Sequence, residues 1–541
     1  MLRRRVARSY LHHLPGDLAL IRTWPFMVTS NVPEAANAET ESASSAIGPG
    51  SRIPRRASRW GLPFDSLSYF VAIAVTCILI FGQNVYAAKS LGPALYGIWN
   101  ILAITYTYGL LAHLGALNGM AREYPRALAD GAACEAQQLT QSAFWINAWS
   151  TVLLSTIALL ILRAAFWHTP QVSWTVLLLF AVFLLLQGWT NFLTFLLRAR
   201  DQFKLLSVLT LTLNAGVLAS AFFFIPRWNL QGFVLAWAVT YLVVGAFFLK
   251  KTQSHLFAVP DWHVSWNLLR IGAPILLFTL TATINWTMDR LLIARFLGVA
   301  AVGYFAVAAF AVRLLNYVPE MVSQVMYPHW AAAKLSRNGR DSDLSPGPFR
   351  MMFWLMPLLG GLAYYACFLI PLLLPTYSET VLPSQVLCLA ASLSSIGLFC
   401  GAYLGAIGRE KLALRAQVAI VTLRAVVVGG ALVLGGTLLH AAYASATSSA
   451  AFGIVLLWMT ARQFRGCWQF LMHGLLPWIA CTAWLCVIEL LRRGVFSEIP
   501  TGTIGIFLGG GLFLLGSSVL SIALGRLPTG DLVIAAVVSE P

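Results

Sequence analysis

The chain is 541 residues long, 59% hydrophobic and only 10% charged, with a mean hydropathy of +0.75. Soluble domains carry about 25% charged residues, so this composition excludes a water-soluble fold and describes a polytopic membrane protein. A net charge of +16 would suggest a nucleic acid partner in a soluble protein. Here it reads as basic cytoplasmic loops, and no nucleic acid is expected.

Residues 1–63 differ from the rest. Arg3, Arg4, Arg5, Arg8, Arg22, Arg52, Arg55, Arg56 and Arg59 surround a Ser/Ala/Glu-rich stretch, Glu34 to Gly50. Asp17 and Arg22 bracket the best apolar run, which is too short for a signal-peptide core. The segment reads as a disordered basic cytoplasmic tail, with the arginines near residue 55 able to rest on anionic headgroups.

A spanning helix needs about 20 largely apolar residues. Fourteen such segments follow, at roughly 67–88, 95–120, 142–165, 172–197, 205–225, 230–249, 268–294, 300–330, 350–374, 383–407, 412–436, 439–461, 471–491 and 502–525. With the N-terminus inside, 27 Lys and Arg fall on the cytoplasmic side and six outside, while Arg290, Arg313 and Arg424 lie within spans. That asymmetry predicts cytoplasmic N- and C-termini. Tryptophan and tyrosine near span ends (Trp60, Trp167, Trp174, Trp228, Trp262, Trp266, Tyr377) are expected to form interfacial belts.

Two stretches 206 residues apart echo each other. Ala88-Lys89-Ser90-Leu91-Gly92 precedes Gly97, and Ala294-Arg295-Phe296-Leu297-Gly298 precedes Gly303. Both read A-[KR]-x-L-G-x4-G at a turn between apolar segments. Arg200-Asp201 and Arg409-Glu410 form a second echo at an offset of 209. The echoes predict an internal duplication of six spans, hence two parallel lobes with a site between them. The expected architecture is all-α and integral to the membrane. It has a six-helix lobe over 64–260, a second over 261–465, and two extra spans with a tail over 466–541.

Charges at bilayer depth are costly and usually face a cavity. Span 7 carries Thr281, Asn285 and Asp289 at i, i+4, i+8, with Arg290 adjacent. Span 8 carries Arg313, Asn316 and Glu320 at i, i+3, i+7, with Pro319 a kink candidate, and span 11 adds Arg424. These residues either line a hydrophilic cavity or form structural pairs, Asp289 with Arg313 or Glu320 with Arg424. Subtracting 206 maps Asp289 onto Gln83 and Arg290 onto Asn84, so the first lobe carries amides where the second carries charges.

Other motifs carry less. Arg122 and Arg126 fit the positive-inside rule better than a phosphate site, and His113 reads as a buried, hydrogen-bonded histidine rather than a proton relay. Asp341-Ser342-Asp343 matches a D-x-D metal motif but has no domain around it. The eight cysteines show no metal-ligand spacing. No phosphate-loop or zinc-protease motif is present. No metal or cofactor is therefore expected beyond a coupling proton or sodium ion.

Leu91-Gly92-Pro93-Ala94-Leu95-Tyr96-Gly97 resembles the first turn of the bacterial polysaccharide exporters. These are the O-antigen and lipid-linked oligosaccharide flippases of the multidrug/oligosaccharidyl-lipid/polysaccharide exporter superfamily. Asp289 through Ala294, Leu297-Gly298 and Val302-Gly303-Tyr304-Phe305 look like that family's D-x-x-x-[IL]-x-x-x-L-G-x-x-x-x-G-x-Y signature, and Tyr327-Pro328 also fits. The resemblance covers about residues 64–465. It implies a V-shaped pair of six-helix bundles in the bacterial inner membrane. Their cargo would be an undecaprenyl-diphosphate-linked sugar unit for surface polysaccharide. Membrane lipids, a polymerase and glycosyltransferases of the same pathway are the implied partners. Arg290, Arg313 and Arg424 would engage diphosphate or acidic sugars, and Asp289 would be a coupling or gating acid. Gly92, Gly97, Gly298 and Gly303 would permit packing or bending at the outer turns. A multidrug or cation antiporter and a membrane polysaccharide polymerase or ligase remain the alternatives. Short outer loops argue against an enzyme, and cavity arginines argue against cationic cargo.

Overall fold

The computed structural model describes residues 64–167, 169–252, 260–335, 347–464, 467–494, 509–517 and 519–520. The basic tail over 1–63 and the D-x-D motif at 341–343 lie outside these residues. Among the described residues every regular element is a helix. Ten are long and apolar enough to cross a membrane, and eleven when Val299–Ala308 and Phe310–Ser323, bent by 45°, count as one. Two of these are double spans. Phe64–Gly109 turns at Gly92, and Phe203–Thr252 turns at Trp228 and Asn229. The described residues therefore carry thirteen full spans, and 509–517 begins the last.

The duplication is written in the backbone. Gly92 has φ 71° and ψ 173°, and Gly298 has φ 86° and ψ 175°, an offset of 206. Asn229 (φ 46°) and Gly435 (φ 82°) repeat that offset at the turns after spans 5 and 11. Asp201 (φ 59°) and Gly408 (φ 75°) mark the turns after spans 4 and 10. That last offset is 207, which corrects the 209 taken from the charged pairs. The left-handed residue ending each helix defines the turn, and it is Asp201 in one copy and Gly408, not Glu410, in the other. Glycine tolerates this region without steric cost, and asparagine and aspartate bear it better than most residues.

Each lobe has its own core. Spans 2, 4 and 6 pack Trp99, Phe183, Phe233, Trp237 and Tyr241 together, with Trp237 5.4 Å from both Trp99 and Phe183. In the second lobe Trp330, Phe349, Phe399 and Tyr403 stack with Phe464 and Phe470. Side chains such as Leu153, Leu160, Val243 and Leu490 stay exposed. That is the surface expected against lipid tails, where apolar exposure has no water to avoid. Span 13 docks on span 10, where Trp478 Nε1 donates to Ser392 Oγ at 2.9 Å. Phe513 packs against Tyr365 of span 9, so the two extra spans lie on the second lobe.

Small residues let the lobes meet at backbone distance. A Cβ at Gly97 would sit 2.0 Å from the Val299 carbonyl oxygen, and one at Gly303 would sit 2.1 Å from the Pro93 carbonyl oxygen. Pro93 and Val299 are again 206 apart, so spans 2 and 8 cross about the pseudo-two-fold axis. Toward the other end, span 2 breaks at residues 110–115 and resumes at Ala116. There Gly115 (φ 94°) abuts Gly272 of span 7, where a Cβ would lie 1.9 Å from the Gly115 oxygen.

Candidate functional site

Between the lobes, span 1 faces span 8 at Phe81 and Phe310, whose rings meet edge-on at 5.6 Å. On the opposite seam Tyr108 of span 2 and Thr287 of span 7 share a hydrogen bond of 2.8 Å. Arg313 and Glu320 of span 8 keep exposed side chains. The charge on Arg313 nevertheless acts on Cys77 of span 1, Tyr106 of span 2 and Arg290 of span 7. Arg313, on span 8, is thus within electrostatic reach of spans 1, 2 and 7. Its Nε donates to Tyr317 Oη at 3.3 Å. Arg290 is half-buried beside Tyr96, and among the described residues it makes no hydrogen bond or ion pair. Two guanidinium groups thus act on each other, with Glu320 the carboxylate near Arg313 and Asp289 the one near Arg290.

The remaining candidates sit elsewhere. Asn285 and Asp289 turn inward into the second lobe and are each 7% exposed. There Arg424 of span 11 reaches across. Its Nη1 lies 3.6 Å from Asp289 Oδ2 and donates to the Asn285 carbonyl at 2.7 Å, while its Nη2 donates to Ser449 Oγ of span 12 at 2.5 Å. The structure therefore pairs Asp289 with Arg424, not with Arg313, and Glu320 is not paired with Arg424. Asp289 Oδ1, Asn285 Oδ1 and Arg424 Nε are buried without a hydrogen-bond partner. Asn316 also turns away from the cleft and accepts from Ser395 Oγ of span 10 at 2.8 Å. On span 8 the cleft-facing stripe is Arg313, Tyr317 and Glu320 at i, i+4, i+7. Asn316 lies about 60° around the helix from Arg313, at 100° per residue.

In the first lobe Gln83 is buried. Asn84 donates from Nδ2 to the Ile80 carbonyl at 2.7 Å, and its Oδ1 accepts from Tyr96 Oη at 3.2 Å. Thus the amide mapped onto Arg290 by the repeat anchors the tyrosine beside Arg290. His113 accepts from the Gly115 N–H at 3.0 Å through Nδ1, inside the break of span 2. Arg122 and Arg126 flank Glu123 at 3.6 and 2.8 Å. Trp167, Trp174, Trp228, Trp262 and Trp266 are exposed near span ends, whereas Tyr377 is fully buried and is no interfacial anchor. No cluster of metal-ligating side chains occurs among the described residues.

Sequence reasoning missed two amides. Gln187 Nε2 and Asn191 Nδ2 of span 4 donate to the carbonyls of Tyr106 and Leu110 at 3.1 Å each, at the break of span 2; the Tyr106 carbonyl also accepts from the Leu110 N–H at 3.1 Å. Gly109 and Gly115 flanking that break were the available signal.

Two six-helix repeats facing one another make a fold that solved structures share. An inward-facing multidrug-resistance MATE family transporter of that superfamily superposes with a TM-score of 0.61 at 14% identity, over 73% of this chain and 97% of that one. The lipid II flippase MurJ in an inward closed conformation gives 0.59 at 15% identity, over 85% of this chain and all of that one. A superfamily transporter from Pyrococcus furiosus, described as having a binding pocket of reversed polarity, gives 0.52 at 13% identity over 73% and 94%. Residues 65–333, spans 1 to 8, match the family model described as polysaccharide biosynthesis protein. No curated protein matches the sequence at a significant level.

Proposed function

We propose that this chain is a flippase. It moves a polyprenyl-diphosphate-linked oligosaccharide from the cytoplasmic to the outer leaflet of a bacterial inner membrane, by alternating access between its two lobes. The observation that carries the reading is the pair Arg290 and Arg313. Neither has an acidic partner within ion-pair distance among the described residues, both sit at bilayer depth, and both border the cleft. A charge kept there against its desolvation cost calls for a charged ligand of opposite sign. A diphosphate or an acidic sugar supplies it, while the lipid chain stays in the bilayer. The N-in orientation follows the distribution of Lys and Arg. Glycosyltransferases making the cargo and a polymerase consuming it, in O-antigen, lipopolysaccharide or exopolysaccharide assembly, are the partners this reading implies.

The antiporter alternative loses support because Asp289 is already neutralised by Arg424. Of the two carboxylates near Arg290 and Arg313, Glu320 is then the one without an ion pair to Arg424, which makes a poor receptor for cationic drugs. Binding tests the reading. In nanodiscs, an undecaprenyl-diphosphate oligosaccharide should bind at least tenfold more tightly than the same glycan on an uncharged polyprenol, since a charge-assisted hydrogen bond is worth about 1.5–3 kcal/mol. Arg290→Ala with Arg313→Ala should erase that preference. Equal binding of both lipids by the wild type would remove the diphosphate from the account.

A further inference from the structure

The turn between spans 9 and 10 belongs to the second lobe by sequence and packs against both lobes. Tyr377, in the 3-10 turn Pro375–Thr380, is fully withdrawn from solvent, and with Leu374 it joins a hydrophobic core built mostly by spans 1 to 6, with Leu268, Ala306 and Val307 of spans 7 and 8. Its hydroxyl donates to the Ala88 carbonyl at 3.1 Å. Ala88 lies in the last turn of span 1, where helix carbonyls run out of following amides. The ring stands edge-on to Tyr304 of span 8 at 5.5 Å and to Tyr96 of span 2 at 6.4 Å. Tyr96 is itself tied to Asn84. The turn is braced from below, since Thr380 Oγ1 donates to the Tyr377 carbonyl at 2.7 Å and Ser384 Oγ to the Thr380 carbonyl at 2.6 Å.

A tyrosine at a membrane–water boundary ordinarily keeps its hydroxyl wet. Here a short braced strap carries it across the lobe boundary into a dry socket beside the Gly97–Gly303 crossing. We propose that residues 374–380 are a latch closing the cleft toward the Gly92 side, with Tyr377 as its pin. Separation of the lobes at that end must withdraw Tyr377 from span 1. The latch also borders the cleft, because Tyr96 stands between Tyr377 and Arg290. That the latched side is the outer one rests on the flippase reading; the latch itself does not.

The test reads lobe separation directly. Trp228 and Leu434 are exposed, repeat-equivalent residues on the two lobes, at the same end as the latch. Spin labels on Trp228→Cys and Leu434→Cys, with the native cysteines replaced, report the distance between them by electron–electron resonance in nanodiscs. Tyr377→Phe keeps the ring contacts and loses one hydrogen bond, so the open-to-closed ratio should rise roughly fivefold. Tyr377→Ala should raise it further. An unchanged distance distribution in Tyr377→Phe overturns the proposal, whatever Tyr377→Ala does to stability. No cargo is needed, so a failed latch and a failed cargo assignment give different results.

Discussion

Replacing Arg424 by Met would leave the Asp289 carboxylate alone inside the second lobe. Arg424 and Asp289 have side chains only 7% and 10% exposed, and the guanidinium also bonds the Asn285 carbonyl and Ser449 Oγ. Removing one partner of a buried ion pair costs about 3–5 kcal/mol, because the surviving charge keeps its desolvation penalty and loses its compensation. Asp289→Asn should cost a comparable amount by stranding the guanidinium. Asp289→Asn together with Arg424→Met removes both charges and leaves only lost hydrogen bonds, at about 1 kcal/mol each. The double variant should therefore be more stable than either single one, with a coupling of roughly 3 kcal/mol. Unfolding free energies in mixed micelles titrated with sodium dodecyl sulfate measure all four corners of the cycle. Single effects that simply add, within about 0.5 kcal/mol, would refute the pairing.

Three further outcomes follow from the same geometry. Gly97→Leu and Gly303→Leu place side-chain atoms where a Cβ already meets a carbonyl oxygen, so each should hold the lobes apart, abolishing transport while the lobes stay folded. Lipid-flipping assays beside circular dichroism check this. Asn191→Leu strips the side-chain donor from the Leu110 carbonyl and should destabilise by about 1–3 kcal/mol, whereas Gln187→Leu leaves the Tyr106 carbonyl its bond from the Leu110 N–H and should cost less, both seen as the shift of thermal aggregation in detergent. Trp478→Phe removes the bond from span 13 to Ser392 and should cost only about 1 kcal/mol, leaving transport unchanged, as thermal stability beside flipping will report.

Much of this architecture was legible because membrane helices must be long, apolar and internally satisfied. The Gly92 and Gly298 echo was readable for a local reason: both residues occupy nearly the same left-handed backbone position. The charged pairs at 200–201 and 409–410 gave an offset wrong by two, because charge near a turn drifts while the helix-ending residue does not. Facing was harder. Asn316 shares a helical stripe with Arg313 and Glu320 on paper, yet a rotation of about 60° points it at span 10 and lets Tyr317 take its place in the cleft. Partnership was harder still. Asp289 and Arg424 are separated by three spans, and no spacing rule links them. Tyr377 looked like a belt residue, since its burial depends on a socket built by spans 1 and 2 of the other lobe together with Tyr304 of span 8.

The most direct measurement is transport itself. Purified protein in proteoliposomes should carry a labelled undecaprenyl-diphosphate oligosaccharide between leaflets, and Arg290→Ala with Arg313→Ala should abolish that movement while leaving the fold intact. Movement undiminished in the folded double variant, or none by folded wild type across several glycan donors, would contradict the account.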